Sequence, residues 1–529
     1  MSRRNVFFFV ITLLGCGGLG VLFGQAASSG FVSDAQISGS LQQFTQVYNA
    51  VEQNYAEQVD PSKAIYDGAI PGMLRVLDPH STFFDPKQYA QLQESQKGKY
   101  YGVGMTIGPR NNHVVVIAPL AGTPAAKAGV RPGDIIIAVD GQPTDNMSTD
   151  DVVQKVRGPK GSTVHITVLR EGSARPLEFA LTRDEIRTYS VDVHFMLRPG
   201  IGYMHISSFD ETTDRETEDA LSQFGPLKGL VLDLRQDPGG LLGAAVGVAG
   251  QFLPKGDVVV SQHGRASPEQ VYRATHGNDG KDYPIVILVD RGTASGAEIV
   301  AGALQDHDRG LVAGENTFGK GLVQTVFQLS DSTGLALTTA KYYTPSGRLI
   351  QRNYTGVDLF DYYYGREDQT NNPNRETKYT DSGRPVYGGD GITPDVKLPN
   401  RKRNPFQDYL LAHFVFANFA QDYASHHPIT KSFEVTDQVL QDFRNYLSQH
   451  QLSYSEAQLS QNLDWIKGEI KTELFTDAFG LEQGQVTRVE TDPDVIEALN
   501  LLPQARQLEQ HAQQVIAERR TAAISTKQR

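Results

Sequence analysis

Cysteine is almost absent from this 529-residue sequence. Cys16 is the only one, which excludes an intrachain disulfide and any cysteine-built metal site. It lies in an apolar run near the N-terminus, so the rest of the chain carries no thiol. Positive charge is also short: 49 Lys and Arg face 61 Asp and Glu, for a net charge of −12. A nucleic-acid surface needs clustered basic residues, so this balance speaks against nucleic acid as a partner. No internal repeat of solenoid type runs through the chain.

What is present supports several folded units. With 39% hydrophobic and 21% charged residues the chain can bury a sizeable core, and its length suggests about three or four domains. The opening "MSRRNVFFFVITLLGCGGLGVLFGQAASSG" puts two arginines before an apolar run from Val6 to Phe23. That run is about the minimum for crossing a bilayer. Residues 1–30 are expected to be a signal peptide cleaved near "GQAA" or a membrane anchor with Arg3 and Arg4 held inside, the anchor being favoured. Either way the remainder is exported, to a periplasmic place anchored to the inner membrane.

Further along, the hydrophobic period changes several times. Residues 36–95 read as a helical region, with Leu41, Phe44, Val47, Tyr48 and Val51 on one face, closing on "LDPHSTFFDP". Residues 97–186 alternate short β-rich runs such as "HVVVIAPL" and "DIIIAVDG" with Gly/Pro turns. Residues 187–400 interleave continuous apolar strands ("GLVLDLRQ", "PIVILVD", "GLVAGE") with helices, an α/β layer pattern. Within them, 357–391 is polar, aromatic and loop-rich and is expected to leave the core. Residues 401–515 read as helical, and 516–529 as a disordered tail.

Two neighbouring stretches carry candidate chemistry: "RGTASGAEI" at 291–299 and "GENTFGKGLVQ" at 314–324. The second matches the phosphate-loop spacing, but Gly321 stands where a metal-binding hydroxyl is needed. The first lacks the G-x-S-x-G elbow of an α/β-hydrolase, and His307, in the polar "QDHDR" segment, reads as a solvated helix-end residue. A third reading pairs Ser295 with Lys320. A serine hydroxyl needs a base, and a lysine can be that base only when burial makes it neutral. The residues flanking Lys320 are Phe, Gly, Leu and Val, with no acid among them. The bland alternative is a surface lysine in a glycine turn.

Together with "LDLRQDPGGLLGAAV", these stretches resemble the C-terminal processing, or tail-specific, proteases of serine peptidase family S41. There the nucleophile turn usually reads S-A-S-A-S-E, whereas this chain reads T-A-S-G-A-E with Ser295 in the attacking place. "TFGKGLVQ" is similar to the family's T-F-G-K-G-x-V-Q, which implies Lys320 as base and Gln324 as its orienter. "AIPGMLRVLDPHSTFF", "GYMHISSF" and "GRPVYGGDGITPDV" resemble further family segments. The middle module resembles a PDZ domain, with "YYGVGMTIG" as its peptide-carboxylate loop.

The resemblance implies a serine endopeptidase that selects protein or peptide substrates by apolar C-termini, without metal or cofactor. The catalytic residues are then Ser295, Lys320 and Gln324. The oxyanion donors are the backbone N–H of Gly296 and of Gly239 or Gly240, each worth about 3 kcal/mol in the transition state. Peptide binding falls to Gly102, Val103, Gly104 and Met105, with Arg157 where the family places a coupling arginine. Asp306 reads as structural. The expected fold is a crotonase-like (ClpP/crotonase) α/β core with an inserted PDZ domain and helical regions at both ends, those helices forming a homodimer. An adaptor protein is a further candidate partner. The competing class is a non-catalytic PDZ scaffold or chaperone built on a protease fold.

Overall fold

The computed structural model describes residues 34–170, 172–365 and 375–527. The N-terminal apolar run, with Cys16 and "GQAA", lies outside the described residues. Among the described residues no helix is long and apolar enough to cross a membrane.

The chain divides after Val76. The first unit is helical: Asp34–Asn54, a π-helix Lys63–Ala69 and Ile70–Arg75. The long helix is amphipathic as its periodicity predicts, and Leu41, Phe44, Val47 and Val51 leave an exposed apolar stripe along it.

The second unit begins at Leu77, and its first strand leaves the turn expected to close the helical region. Thr82–Phe84 is a strand, because the Thr-Phe-Phe run leaves the "DPHS" turn and pairs with Ala336, Leu335 and Gly334. The helix Pro86–Gln96 follows, capped by Asp85. The middle module then forms a sheet in the order Met105–Arg110, His113–Pro119, Ile135–Val139, Thr163–Leu169, Leu177–Thr182. Val164, Ile166 and Val168 alternate inward from one strand onto Val116, Ile136 and Val152, the period-2 pattern of a half-buried sheet. Lys99–Gly102 pairs with Asp184–Arg187 at the neck of the module. At its far hairpin, Arg110 donates to Asn418 and Gln421 of the C-terminal helical region.

The core sheet runs Val193–Arg198, Ile201–His205, Gly229–Asp233, Ile285–Val289, Leu311–Gly314, Val396–Lys397, the first pair antiparallel and the rest parallel. Ile285–Val289 is buried at every position, as a strand covered on both faces must be. Each such side chain contributes roughly 1.5–3 kcal/mol by leaving water. Helices Thr213–Phe224, Leu242–Gly250 and Gly296–Asp306 pack with one face of the sheet, and Val495, Ala498, Leu501, Leu502 and Ala505 of the last helix cover the other. A second sheet joins Thr82–Phe84, Gly334–Tyr343, Val258–His263 and Gln270–Arg273, with Leu322–Gln328 also on Gly334–Tyr343.

These sheets are open, with separate edge strands, and none closes into a barrel among the described residues. The crotonase-like core expected above is therefore corrected to an open-sheeted α/β core. The C-terminal helices form their own cluster around Phe416, Phe419, Phe443 and Ile470. The last helix spans Pro493–Lys527, so the expected disordered tail is helical as far as that residue. Ala, Glu, Gln and Arg sustain it, and Arg519 donates to the Asp381 carbonyl.

Candidate active site

Strand Ile285–Val289 ends in a turn that the fold holds from several sides. Asp290 accepts the N–H groups of Gly292 and Gln236, Thr293 donates its hydroxyl to Leu234 O at 2.7 Å, and Ala294 N–H donates to Asp237 O. Ser295 follows with φ +51° and ψ −112°, outside the regions a side-chain-bearing residue prefers. Such geometry costs about 1–3 kcal/mol and persists only where neighbours overdetermine it. Helix Gly296–Asp306 starts at the next residue, so its positive end faces the serine.

The neighbour that overdetermines the turn is Glu298, which is fully buried. Its Oε2 accepts the N–H of Ser295 and of Lys320, each at 2.9 Å. Its Oε1 accepts Gly319 N–H at 2.7 Å and the Thr317 hydroxyl at 2.5 Å. Burial pushes its carboxyl upward and the four donors hold it down. One side chain thus ties the serine turn to the lysine turn. Tyr342 does so from the opposite side, its hydroxyl lying 2.5 Å from Lys320 O and 3.0 Å from Ser295 O.

Ser295, Lys320 and Gln324 line one cavity of about 430 Å³ with His80, Gly239 and Gly240. Burial draws the Lys320 amine below its ordinary value of 10.5, while the charges of Glu298 and Asp78 oppose that shift. The acid missing from the flanking sequence is thus supplied by the fold, but Glu298 binds the lysine's backbone rather than its amine. Lys320 Nζ donates to Gln324 Oε1 at 2.9 Å, and Gln324 Nε2 donates to His80 O at 2.5 Å. Ser295 Oγ makes no direct hydrogen bond to Lys320 Nζ.

The two glycine candidates separate by their hydrogen bonds. Gly239 N–H is committed to Asp237 Oδ1 at 2.7 Å. Among the described residues no acceptor takes the N–H of Gly240 or Gly296. The two backbones meet closely: a Cβ at Gly239, whose φ is +87°, would lie 2.5 Å from Gly296 N, and one at Gly240 would collide with Phe209 O. Burial raises the Asp237 carboxyl to about 8, and its second oxygen has no partner.

Other expected residues lie elsewhere. Asp306 sits at the far end of the same helix in a fully buried ion pair with Arg348. His307 is not solvated, as its ring is held by Asp381 and by Val258 O at 2.7 Å each. On the PDZ-like module, Gly102 ends one strand, Met105 begins the next, and Val103 and Gly104 link them. Val103 is 1% exposed and packs in the module's own core, so its side chain cannot wall a groove. Gly104 O accepts Leu120 N–H and the Thr123 hydroxyl. Arg157 lies beside Gly102, stacked 4.3 Å over Tyr100 and 3.7 Å from Glu94.

Sequence reasoning missed Glu298, Tyr342 and His80. The S-x-x-E spacing of Ser295 and Glu298 is a helix-start signature and was the available signal for the first. Among the described residues no group of acids and histidines could hold a metal ion.

Comparison with known proteins identifies the family. Peptidase family S41 matches residues 200–359, a PDZ domain 115–170, the C-terminal helical domain of PDZ-proteases 406–458, and the N-terminal domain of the activating protease CtpB 25–88. The chain is 36% identical over 354 residues to the carboxy-terminal-processing protease of Bartonella bacilliformis, covering 66% of this chain and 80% of that one. It is 42% identical over 292 residues to the carboxyl-terminal-processing protease of Synechocystis sp., covering 54% and 68%. Among solved structures, the photosystem II D1 C-terminal processing protease is 31% identical over 69% of this chain and 94% of that one, with a TM-score of 0.34. The open-sheeted core is accordingly that of the S41 proteases and not the crotonase-like fold expected at first. The chain belongs to serine peptidase family S41, among the carboxy-terminal-processing proteases, and is a serine-type endopeptidase.

Proposed function

We propose that Ser295 is the nucleophile, Lys320 the general base and Gln324 the residue that orients it, in an endopeptidase that chooses substrates by their C-terminal tails. The observation that carries this reading is the buried Lys320 amine, drawn toward its neutral form and hydrogen-bonded to Gln324, in the cavity that Ser295 lines. Ser295 Oγ attacks the scissile carbonyl carbon as its proton passes to Lys320 Nζ. The tetrahedral oxygen takes N–H donors from Gly296 and Gly240. The C–N bond then breaks, the lysine returns the proton to the leaving amine, and water releases the acyl group by the same route reversed. The non-catalytic scaffold reading has no use for a strained serine beside a buried lysine.

The PDZ module supplies tail selection. No acceptor among the described residues takes the N–H of Val103 or Gly104, which leaves a turn of donors for a terminal carboxylate. Arg157 stands next to that turn. Apolar last residues suit the half-buried Met105 beside it. The exposed stripe of helix Asp34–Asn54 favours a homodimer, and an adaptor protein is a second partner of the same kind. Export across the membrane, with a periplasmic place at an inner-membrane anchor, follows from the N-terminal sequence.

Tail selection is tested by cleaving one unfolded protein that carries a free apolar tail, an amidated tail or an acidic tail. Charge-assisted bonds to the carboxylate are worth about 1.5–3 kcal/mol each, so amidation is expected to lower kcat/KM tenfold or more. Equal cleavage of all three would reject it.

A further inference from the structure

The segment 357–391 was expected to leave the core, but its helix Leu359–Tyr363 lies against the active site. Helix Leu359–Tyr363 seats Tyr362, 2% exposed, against His80. The phenol oxygen lies 2.9 Å from His80 Nε2 and accepts Gln351 Nε2 at 3.2 Å. The phenol's one hydrogen goes to the imidazole when Nδ1 holds the ring's proton. Burial lowers His80 to about 4, so the ring is neutral near pH 7 and can accept. The Tyr362 ring meets His80 edge-on at 5.6 Å and Phe318 at 5.7 Å. The Arg352 guanidinium lies 4.5 Å from both the Phe318 and Tyr362 rings and donates to Tyr362 O. Tyr363 adds a bond from its hydroxyl to Pro79 O at 3.0 Å.

One short helix thus grips the turn from Asp78 to Ser81. Asp78 stiffens that turn from within, accepting the N–H of His80 and of Ser81 at 2.8 Å each and the Ser81 hydroxyl at 2.7 Å. The turn's outward product is the His80 carbonyl, which holds the amide nitrogen of Gln324. With its nitrogen engaged, the amide must present its oxygen to Lys320 Nζ. If the carbonyl drifted, the amide could turn over and face the amine with a second donor.

We propose that Tyr362 is a positioning residue, which acts through His80 and Gln324 to hold the Lys320 amine in line with the Ser295 cavity. The assignment rests on the reading of Lys320 as the base. The segment that carries Tyr362 also exposes Phe360 (68%) and Tyr364 (77%), so its buried tyrosine is set apart from its neighbours.

The test is peptide turnover by Tyr362→Phe, Gln324→Ala, the double variant, Lys320→Ala and Tyr364→Phe as control. Tyr362→Phe keeps the ring packing and removes only the hydroxyl. It is expected to lower kcat five- to twentyfold at unchanged KM and unchanged melting temperature. In the Gln324→Ala background the same change is expected to alter kcat less than twofold, because residues on one path do not add. A kcat within twofold of wild type for Tyr362→Phe, or an equal fall in both backgrounds, overturns the proposal. If Tyr362→Phe fails to melt cooperatively, Tyr363→Phe decides: a two- to fivefold kcat fall erased by Gln324→Ala supports it, and no fall overturns it. Lys320→Ala separates the two levels. Full activity there rejects the base itself, whereas an inactive Lys320→Ala beside an unaffected Tyr362→Phe rejects only the positioning role.

Discussion

Replacing Glu298 by Gln changes one atom in the most connected side chain of the site. The carboxylate takes four hydrogen bonds, two on each oxygen, from Ser295, Lys320, Gly319 and Thr317. A glutamine keeps one oxygen and its two bonds. Its amide nitrogen, a donor, then faces either the Ser295 and Lys320 N–H groups or the Gly319 N–H and the Thr317 hydroxyl. Each orphaned donor costs about 1–3 kcal/mol, a gross loss of about 2–6 kcal/mol. Burial already penalises the charged form, so removing the charge returns part of this. The net expectation is a loss of about 2–4 kcal/mol in stability. Activity is expected to fall further than stability, at least a hundredfold in kcat, because Oε2 accepts from both the Ser295 and the Lys320 backbone. Urea melts give the first quantity, and turnover measured far below the unfolding midpoint gives the second. A Glu298→Gln enzyme within 0.5 kcal/mol and twofold of wild type would refute the claim that this carboxylate sets the spacing of nucleophile and base.

The pH–rate profile is a second prediction. Burial depresses the folded pKa of Lys320 below 10.5, so kcat/KM is expected to rise with pH through that lowered value as the amine loses its proton. The same group's stabilising contribution is full above the unfolded pKa and declines as pH falls from there to the folded pKa, since the unfolded chain binds the proton more readily. A flat profile from about pH 5 to 10, with chemistry rate-limiting, contradicts it. Asp237 is a third. Its folded pKa of about 8 exceeds the ordinary 3.8, so its stabilising contribution is present at low pH and lost as pH rises through about 8. Asp237→Asn keeps an acceptor for Gly239 N–H and is expected to retain activity within about threefold while flattening the alkaline loss of stability. A steeper alkaline loss in thermal melts would count against a protonated Asp237.

The parts of the site legible in the sequence are those that lie close together along the chain. Ser295 precedes its helix directly, Lys320 and Gln324 share one turn-and-strand motif, and the glycines of "DPGG" advertise a tight backbone. The core strands were equally plain, because a strand covered on both faces is apolar at every position. What stayed hidden depends on distant pairing. His80 reaches Gln324 only because Thr82–Phe84 pairs with the strand that also carries Leu322–Gln328. Tyr342 stands on that shared strand, and no local pattern marks its hydroxyl as a clamp. Glu298 was visible as a residue but its partners Gly319 and Lys320 lie beyond another strand. The side chain of Val103 was undecided in the sequence, because an apolar residue in a binding loop fits a groove and a core equally well, and burial puts it in the core.

Labelling with a fluorophosphonate probe measures the activation of Ser295 by Lys320 alone. Intact mass and peptide mapping are expected to place one probe on Ser295 of the wild-type enzyme. The labelling rate is expected to rise with pH and to fall by orders of magnitude in a folded Lys320→Ala variant. A probe on another residue, or undiminished labelling of Ser295 without Lys320, would contradict it.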